Sequence, residues 1–307
     1  MIAAKRGRVN RVAQHPVKAF AAALAAVAVL SLMDAVMKHL VLAIGLFAVS
    51  LWRAVANLLF SSGLYLPRRR KWPTRKTLWI HIIRGVDVTV MAALFFWGIA
   101  RVPLAQALAL TFIAPLIAML LAPLFLKERV NARLIGGAVA AFAGVIVIVI
   151  GQARAEVRPD VLFGIAAIIG SAICYSGNIL MMRWQALAAE PLEINFFQAI
   201  VVLALWLAVV PVYGLPAWPG SQLGYVVIAS VLSTTGGLLF AWAYARGEAS
   251  YLAVTEYSGF IWASICGWVA FSERVSLYTL AGAVLIVGGC LIGARGKITQ
   301  PPEMDYT

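Results

Sequence analysis

Long apolar segments joined by short polar connections make up most of the chain. Each segment is about 20 residues long, the length that an α-helix needs to cross a hydrocarbon core of about 30 Å. The connections leave no room for a soluble domain, since Arg101–Val102 and Gly247–Glu248 are almost the whole of two of them. The pattern predicts ten transmembrane helices, at approximately residues 18–38, 41–66, 76–100, 103–126, 130–151, 161–183, 194–214, 222–246, 249–271 and 276–294.

The composition supports a membrane protein. Hydrophobic residues make up 63% of the 307 positions and charged residues 12%, whereas about a quarter of the residues of a soluble domain are charged. The mean hydropathy is +0.92. An alanine-rich stretch from Phe20 to Leu32 follows basic residues, as in a secretory signal, but nine further segments follow it. We therefore expect this stretch to be retained as the first helix.

The net charge of +13 indicates membrane topology and argues against nucleic-acid binding. Many of the basic residues are clustered beside apolar segments, where such clusters hold a loop in the cytoplasm. The two clusters favour a cytoplasmic location for both termini. They comprise Lys5, Arg6, Arg8, Arg11 and Lys18 in the N-terminal tail, and Arg68, Arg69, Arg70, Lys71, Arg75 and Lys76 in one loop.

An internal repeat relates the two halves of the chain. Residues 95–144 align without a gap on residues 240–289, at an offset of 145. Each half contains five predicted spans, an odd number, so the repeats cross the membrane in opposite senses. Inverted repeats support alternating access to a central site, although a static scaffold or channel is the alternative. The matched positions include Trp97 with Trp242, Arg101 with Arg246, Glu128 with Glu273, and Gly144 with Gly289.

The repeated stretches LFFWGIARVPLAQALALTFIAPLIAMLLAPLFLKERV and LLFAWAYARGEASYLAVTEYSGFIWASICGWVAFSERV carry a family resemblance. The chain resembles the EamA branch of the drug/metabolite transporter superfamily over about residues 18–295, and is most similar in kind to amino-acid exporters of the YddG type. The resemblance implies an all-α fold with a central cavity lined mainly by helices 1, 3, 4, 6, 8 and 9. The expected segments are a basic tail (1–17), the first repeat (18–151), a linker (152–160), the second repeat (161–294) and a cytoplasmic tail (295–307).

Ionisable groups at membrane depth are costly unless paired or hydrated, so each is a candidate functional group. Asp34 and Lys38 share one face of the first helix, where they would either bind a zwitterion or form a helix-end ion pair. His81, Arg84 and Asp87 form one stripe on the third helix. Arg84 would bind a substrate carboxylate or be neutralised by Asp87, and His81 is a candidate proton site or a structural histidine.

Two further charges lie deep in predicted helices. Arg53, near the middle of the second helix, must face protein or a wet cavity. Glu256 is a candidate substrate-binding and proton-exchanging carboxylate, with a buried ion pair as the alternative. Its helix is unusually polar because Tyr251, Tyr257 and Ser258 accompany it.

Aromatic and uncharged polar residues complete the candidate substrate site. An aromatic wall suits apolar side chains or cations, although tryptophan and tyrosine also gather at membrane interfaces. The uncharged residues would bind substrate or join helices to one another. These candidates are Trp97, Trp242, Tyr244, Tyr257 and Trp262, with Gln106, Thr111 and Asn178.

Other residues are expected to be structural. Glu128 and Glu273 precede Asn131 and Ser276, which are predicted N-caps of the fifth and tenth helices, so the glutamates would fix those turns. Small residues at intervals of four favour close helix packing; they are Gly136, Ala140, Gly144, Gly289 and Gly293. The three cysteines, Cys174, Cys266 and Cys290, lack CxxC spacing and are expected to pack in the core.

These features together favour a secondary transporter that exports amino acids, including bulky ones, or related small metabolites. An exporter of hydrophobic cations is the alternative. The chain has no HExxH, GxSxG or Walker A sequence and no filter-like charge ring, so an enzyme, an ATP-driven pump and a channel are disfavoured. We expect no cofactor, no metal, no nucleic acid and no obligate protein partner. The expected location is a bacterial inner membrane.

Overall fold

The computed structural model describes residues 16–68, 72–114, 117, 132–154, 159–244, 255–256 and 258–294. Ten α-helices account for most of this part of the chain, and no strand occurs in it. The prediction of an all-α fold with ten helices is confirmed. The helices are α1 (Pro16–Ile44), α2 (Leu46–Tyr65), α3 (Arg75–Ile99), α4 (Leu104–Thr111), α5 (Ala132–Arg154), α6 (Pro159–Ala188), α7 (Pro191–Tyr213), α8 (Leu223–Tyr244), α9 (Gly259–Phe271) and α10 (Leu277–Ala294).

Six of the described helices, α1, α2, α3, α6, α7 and α8, are long and apolar enough to cross a membrane. Helices α9 and α10 are shorter but also apolar. Large apolar side chains face outward along the bundle, as expected of a surface in contact with lipid tails. Strongly exposed examples are Leu42, Leu59, Phe163, Trp268, Val269 and Val284.

Short local signals set the helix ends. Gly45 separates α1 from α2 with a φ of 81°, a backbone conformation that residues other than glycine rarely adopt. Thr74 caps α3, because its Oγ1 accepts a hydrogen bond from the backbone N–H of Thr77 at 3.3 Å. Ser276 caps α10 in the same way through Thr279, at 3.0 Å, as predicted. Asn131 lies outside the described residues.

The helix pairings follow the internal repeat. If α1–α5 are matched in order with α6–α10, the α2–α7, α4–α9 and α5–α10 pairings each join a helix to its own counterpart. The other main pairings come in matched sets: α3–α6 with α1–α8, α3–α7 with α2–α8, and α4–α6 with α1–α9. Every one of these packing contacts therefore has an equivalent when the halves are exchanged.

Glycines allow the closest approaches between helices. A Cβ atom on Gly144 of α5 would lie 2.6 Å from the carbonyl oxygen of Gly282 on α10, which confirms the predicted packing role of Gly144. Helix α3 packs closely on two partners, because Gly85 faces Val201 of α7 and Gly98 faces Ile168 of α6. These contacts bring the polar stripe of α3 against α6 and α7.

Candidate functional site

Polar and charged side chains among the described residues form three clusters inside the bundle. Such groups are unfavourable at membrane depth unless they are satisfied, so their partners determine what they do. The clusters are the Arg84 network (His81, Arg84, Asn178, Gln185 and Glu193), the Asp34–Arg53 pair and the Lys38–Glu273 pair.

The Arg84 network joins α3, α6 and α7. Arg84 donates from Nε to Asn178 Oδ1 at 2.7 Å and from Nη1 to Gln185 Oε1. The amide nitrogen of Gln185 lies 2.6 Å from His81 Nδ1, and His81 Nε2 lies 3.2 Å from Glu193 Oε1. His81 is 1% exposed and its ring stacks on Phe197. Neutral amides therefore hold the buried guanidinium.

Asp87 lies one turn beyond Arg84 on α3. Its Oδ2 atom is shielded from solvent and has no hydrogen-bond partner among the described residues. Arg84 and Asp87 interact electrostatically, but within that part of the chain they form no ion pair at 4.0 Å or closer. Mutual neutralisation of the two residues stays an alternative, although the hydrogen bonds of Arg84 go to α6.

Glu256 borders the Arg84 network. Its Oε2 atom accepts a hydrogen bond from the hydroxyl of Tyr175 at 3.0 Å, and Tyr175 interacts electrostatically with Arg84. Tyr175 of α6 thus links the deep carboxylate to the guanidinium. A proton-exchanging role for Glu256 or His81 stays a prediction.

Asp34 and Arg53 interact across α1 and α2. The guanidinium of Arg53 lies 5.3 Å above the centre of the Phe96 ring, and its buried Nε has no hydrogen-bond partner among the described residues. Arg53 therefore faces protein, one of the two surroundings expected for it.

Lys38 pairs with Glu273 and not with Asp34, which corrects the predicted helix-end ion pair. Its ammonium group also donates to the carbonyl oxygen of Val102 at 2.8 Å. The second carboxylate oxygen of Glu273 accepts the backbone N–H of Leu104 at 2.8 Å. Glu273 was expected only to fix its own turn, but it joins the α9–α10 connection to α1 and to the start of α4. Glu128 lies outside the described residues.

The remaining candidates are more scattered. Trp97 supports the guanidinium of Arg101, which lies 3.4 Å above its ring, at the end of α3. Thr111 donates to Leu108 O of its own helix at 2.8 Å. The side chain of Gln106 is buried, and its Nε2 has no hydrogen-bond partner in the described part of the chain. Trp242 and Trp262 are 38% and 39% exposed. Tyr257 and the side chain of Tyr244 lie outside the described residues.

The described residues include neither a disulfide nor a group of side chains suited to a metal ion. Cys174 and Cys266 are free and partly buried. No group of three or more histidine, cysteine, aspartate or glutamate side chains suited to a metal occurs in the searched part of the chain. The side chain of Cys290 lies outside it.

Sequence reasoning missed Gln185, Glu193 and Tyr175. Gln185 and Glu193 fell outside the predicted helices, at 161–183 and 194–214, because both follow or precede the apolar runs. The structure continues α6 to Ala188 and begins α7 at Pro191. Proline at the first helical position is a start signal that would have placed Glu193 in the first turn of α7.

Comparison with known proteins gives the family. The EamA-like transporter family matches residues 17–150 and again residues 162–294. A crystal structure with 20% sequence identity superposes with a TM-score of 0.59, covering 90% of this chain and 95% of that chain. That likeness shows a shared fold.

Several curated relatives are transporters. The pseudopaline exporter CntI of Pseudomonas aeruginosa is 29% identical over 225 residues, which cover 70% of this chain and 75% of the exporter. A riboflavin transporter of Rhizobium johnstonii is 25% identical over 226 residues, 72% of each chain. An S-adenosylmethionine uptake transporter of Rickettsia felis is 25% identical over 215 residues, 69% of this chain and 70% of the transporter.

Proposed function

Because the chain belongs to the EamA-like transporter family, we propose that it exports an amino acid or a related small metabolite by alternating access. The protein is a multi-pass membrane protein, and its named relatives move small organic metabolites. Export is our choice of direction because the pseudopaline exporter, at 29% identity, is more similar than the S-adenosylmethionine uptake transporter, at 25%.

The arrangement of Arg84 and Asp87 carries the proposal for a zwitterion. Asn178 and Gln185 hold Arg84 through two of its five N–H groups, and no carboxylate hydrogen-bonds to it in the described part of the chain. A substrate carboxylate would accept hydrogen bonds from the other N–H groups of the planar fork. The Oδ2 atom of Asp87, one turn away, has no hydrogen-bond partner among the described residues and would accept from the substrate ammonium. Opposite charges at this spacing match the two ends of an amino acid.

The internal repeat supports alternating access. The family matches both halves separately, and the helix pairings have equivalents when the halves are exchanged. Two halves of opposite orientation can exchange conformations, so that a central site opens first to one side and then to the other. The proposed membrane is a bacterial inner membrane, with both termini in the cytoplasm.

A transport assay tests the proposal. Purified protein in liposomes should carry labelled leucine, phenylalanine and alanine down their gradients, faster than empty liposomes, with a preference for bulky side chains. Tetraphenylphosphonium serves as a hydrophobic cation in the same assay. If that cation moves and no amino acid does, the alternative function replaces the proposed one. In that alternative function, Glu256, Asp34 and the aromatic residues would bind the cation.

Variants of Arg84 test the site. Arg84→Lys keeps the charge but loses the planar fork, so we expect a fall of about tenfold in amino-acid flux, and a larger fall for Arg84→Gln. Arg68→Gln is the matched control, because Arg68 is exposed, lies just after α2 and donates to Leu64 O at the end of that helix. Its flux should stay within about twofold of wild type. Equal flux in all the variants would remove Arg84 from the substrate site.

A further inference from the structure

Gln185 joins Nδ1 of His81 and the guanidinium of Arg84 into one chain of hydrogen bonds. Arginine has N–H donors and no acceptor, so Gln185 must present its carbonyl oxygen to Arg84. The NH2 group of Gln185 then faces His81 Nδ1, at 2.6 Å. That NH2 group can only donate, so Nδ1 must be an unprotonated acceptor, and Nε2 carries the proton that is donated to Glu193.

This pattern has a consequence for proton binding. A protonated His81 has N–H donors on both ring nitrogens, so Nδ1–H would face the NH2 donors of Gln185. If the amide turns over to accept from Nδ1–H, its NH2 group faces the N–H donors of Arg84 instead. In either orientation one buried donor loses its acceptor, which is unfavourable.

We propose that Gln185 acts as a positioning residue that makes proton binding at His81 and carboxylate binding at Arg84 compete. With His81 neutral, Gln185 and Asn178 hold the guanidinium in a fixed orientation. With His81 protonated, Gln185 turns to the imidazolium and Arg84 loses one of its two fixed contacts. The competition would allow protons entering the cell to drive substrate out. The substrate half of this inference rests on the proposed function. The chain of hydrogen bonds from His81 through Gln185 to Arg84, called the relay below, does not.

The charged and titratable groups around His81 agree with this arrangement. Helix α7 contributes Glu193, which stabilises an imidazolium at Nε2, and the Phe197 ring that stacks on His81. Helix α3 contributes Arg84, which opposes the added charge, and Asp87 beyond it.

From α6, Tyr175 interacts electrostatically with Arg84, and its hydroxyl donates a hydrogen bond to Glu256. From α2, Tyr65 packs on Phe197. Glu193 balances the charge of the imidazolium locally, so the loss of the Gln185 contact is the main effect at Arg84.

The relay can be tested without substrate. Spectra of ¹⁵N-histidine-labelled protein in detergent would give the titration midpoints of His15, His39 and His81. The His81→Asn and His39→Asn variants assign the signals. In wild type, neutral His81 should carry its proton on Nε2. In Gln185→Glu, a carboxylate accepts from Arg84 and from Nδ1–H together, so the His81 midpoint should rise by about one pH unit or more. An unchanged midpoint overturns the relay, whatever the substrate is.

The sign of the substrate effect separates the relay from simple charge attraction. Saturating L-phenylalanine should lower the His81 midpoint by about one unit, and by linkage its Kd should rise about tenfold when His81 is protonated. A carboxylate acting only through space would raise the midpoint. In Gln185→Met the substrate effect on His81 should disappear. A rise with substrate, or a full effect in Gln185→Met, overturns the proposal.

An internal control keeps the outcomes distinct. His39 is exposed, with its ring 3.2 Å from Gln222 near the α7–α8 connection, so its midpoint should not respond to substrate or to changes at Gln185. A shifted His39 signal reports misfolding of a variant, in which case the wild-type sign test decides. If no amino acid is bound or carried, the proposed function fails, while Gln185→Glu still tests the relay.

Discussion

At the scale of single residues, Glu273 joins more of the chain than its position after α9 indicates. Its two carboxylate oxygens bind Lys38 of α1 and the backbone N–H of Leu104. We expect Glu273→Gln to leave the buried Lys38 ammonium without a counter-charge and to destabilise the protein by about 3 kcal/mol. Thermal unfolding in detergent would measure the change.

Matched variants separate charge from packing in that experiment. Removing the ammonium as well, in the Lys38→Met/Glu273→Gln double variant, should restore part of the lost stability, because no buried charge is then left unpaired. Glu190→Gln removes an exposed carboxylate and should change stability by less than about 0.5 kcal/mol. A wild-type melting temperature for Glu273→Gln would show that the pair is not needed for folding.

Individual site residues were predictable only in part. His81, Arg84 and Asp87 stood out because ionisable residues at spacings of three are costly within an apolar helix, which marks them as candidate functional groups. Gln185 and Glu193 were missed and Asn178 was not assigned to Arg84, because these partners lie between 94 and 112 positions away in the chain. Hydropathy predicts which residues enter the membrane, but not which distant helix supplies the hydrogen bond.

At the scale of helices, contact between α5 and α10 depends on small residues. In Gly144→Ala the added methyl group would meet the backbone of Gly282, which cannot move aside as a side chain can. We expect a loss of about 1–3 kcal/mol. Gly136→Ala is the control on the same helix, since no atom of another described segment lies within 4 Å of the added methyl group. It should leave stability unchanged or raise it by up to about 1 kcal/mol. Equal melting temperatures would contradict the packing role.

The same scale shows how far hydropathy defines a helix. Helix α1 was predicted to end at residue 38, because a lysine and a histidine follow the apolar run. It continues to Ile44, and the break falls at Gly45. Lys38 remains inside because Glu273, from the far end of the sequence, neutralises it. A helix boundary set by a distant partner cannot be found from local composition.

At the scale of the whole molecule, the ten-helix fold was predicted correctly because its signals are long and repeated. The orientation in the membrane is a separate prediction, based on the basic clusters. We expect a fluorescent protein fused after residue 307 to fluoresce in the cytoplasm, and alkaline phosphatase at the same place to be inactive. Fusions truncated in the α9–α10 connection, at Ser276, should give the opposite result. Phosphatase activity at the C-terminus would reverse the assigned orientation.

The carboxylate of Glu273 also affects how α1, the start of α4 and the α9–α10 connection separate from one another. The two oxygens of Glu273 bind α1 and the start of α4 at the same time. These segments therefore cannot separate one at a time without leaving a charge that is neither hydrated nor paired. A slightly open gap is thus less favourable than either full closure or full opening with water around both charges. In the proposed alternating-access cycle, such an all-or-none contact would limit leakage of protons and small ions between turnovers.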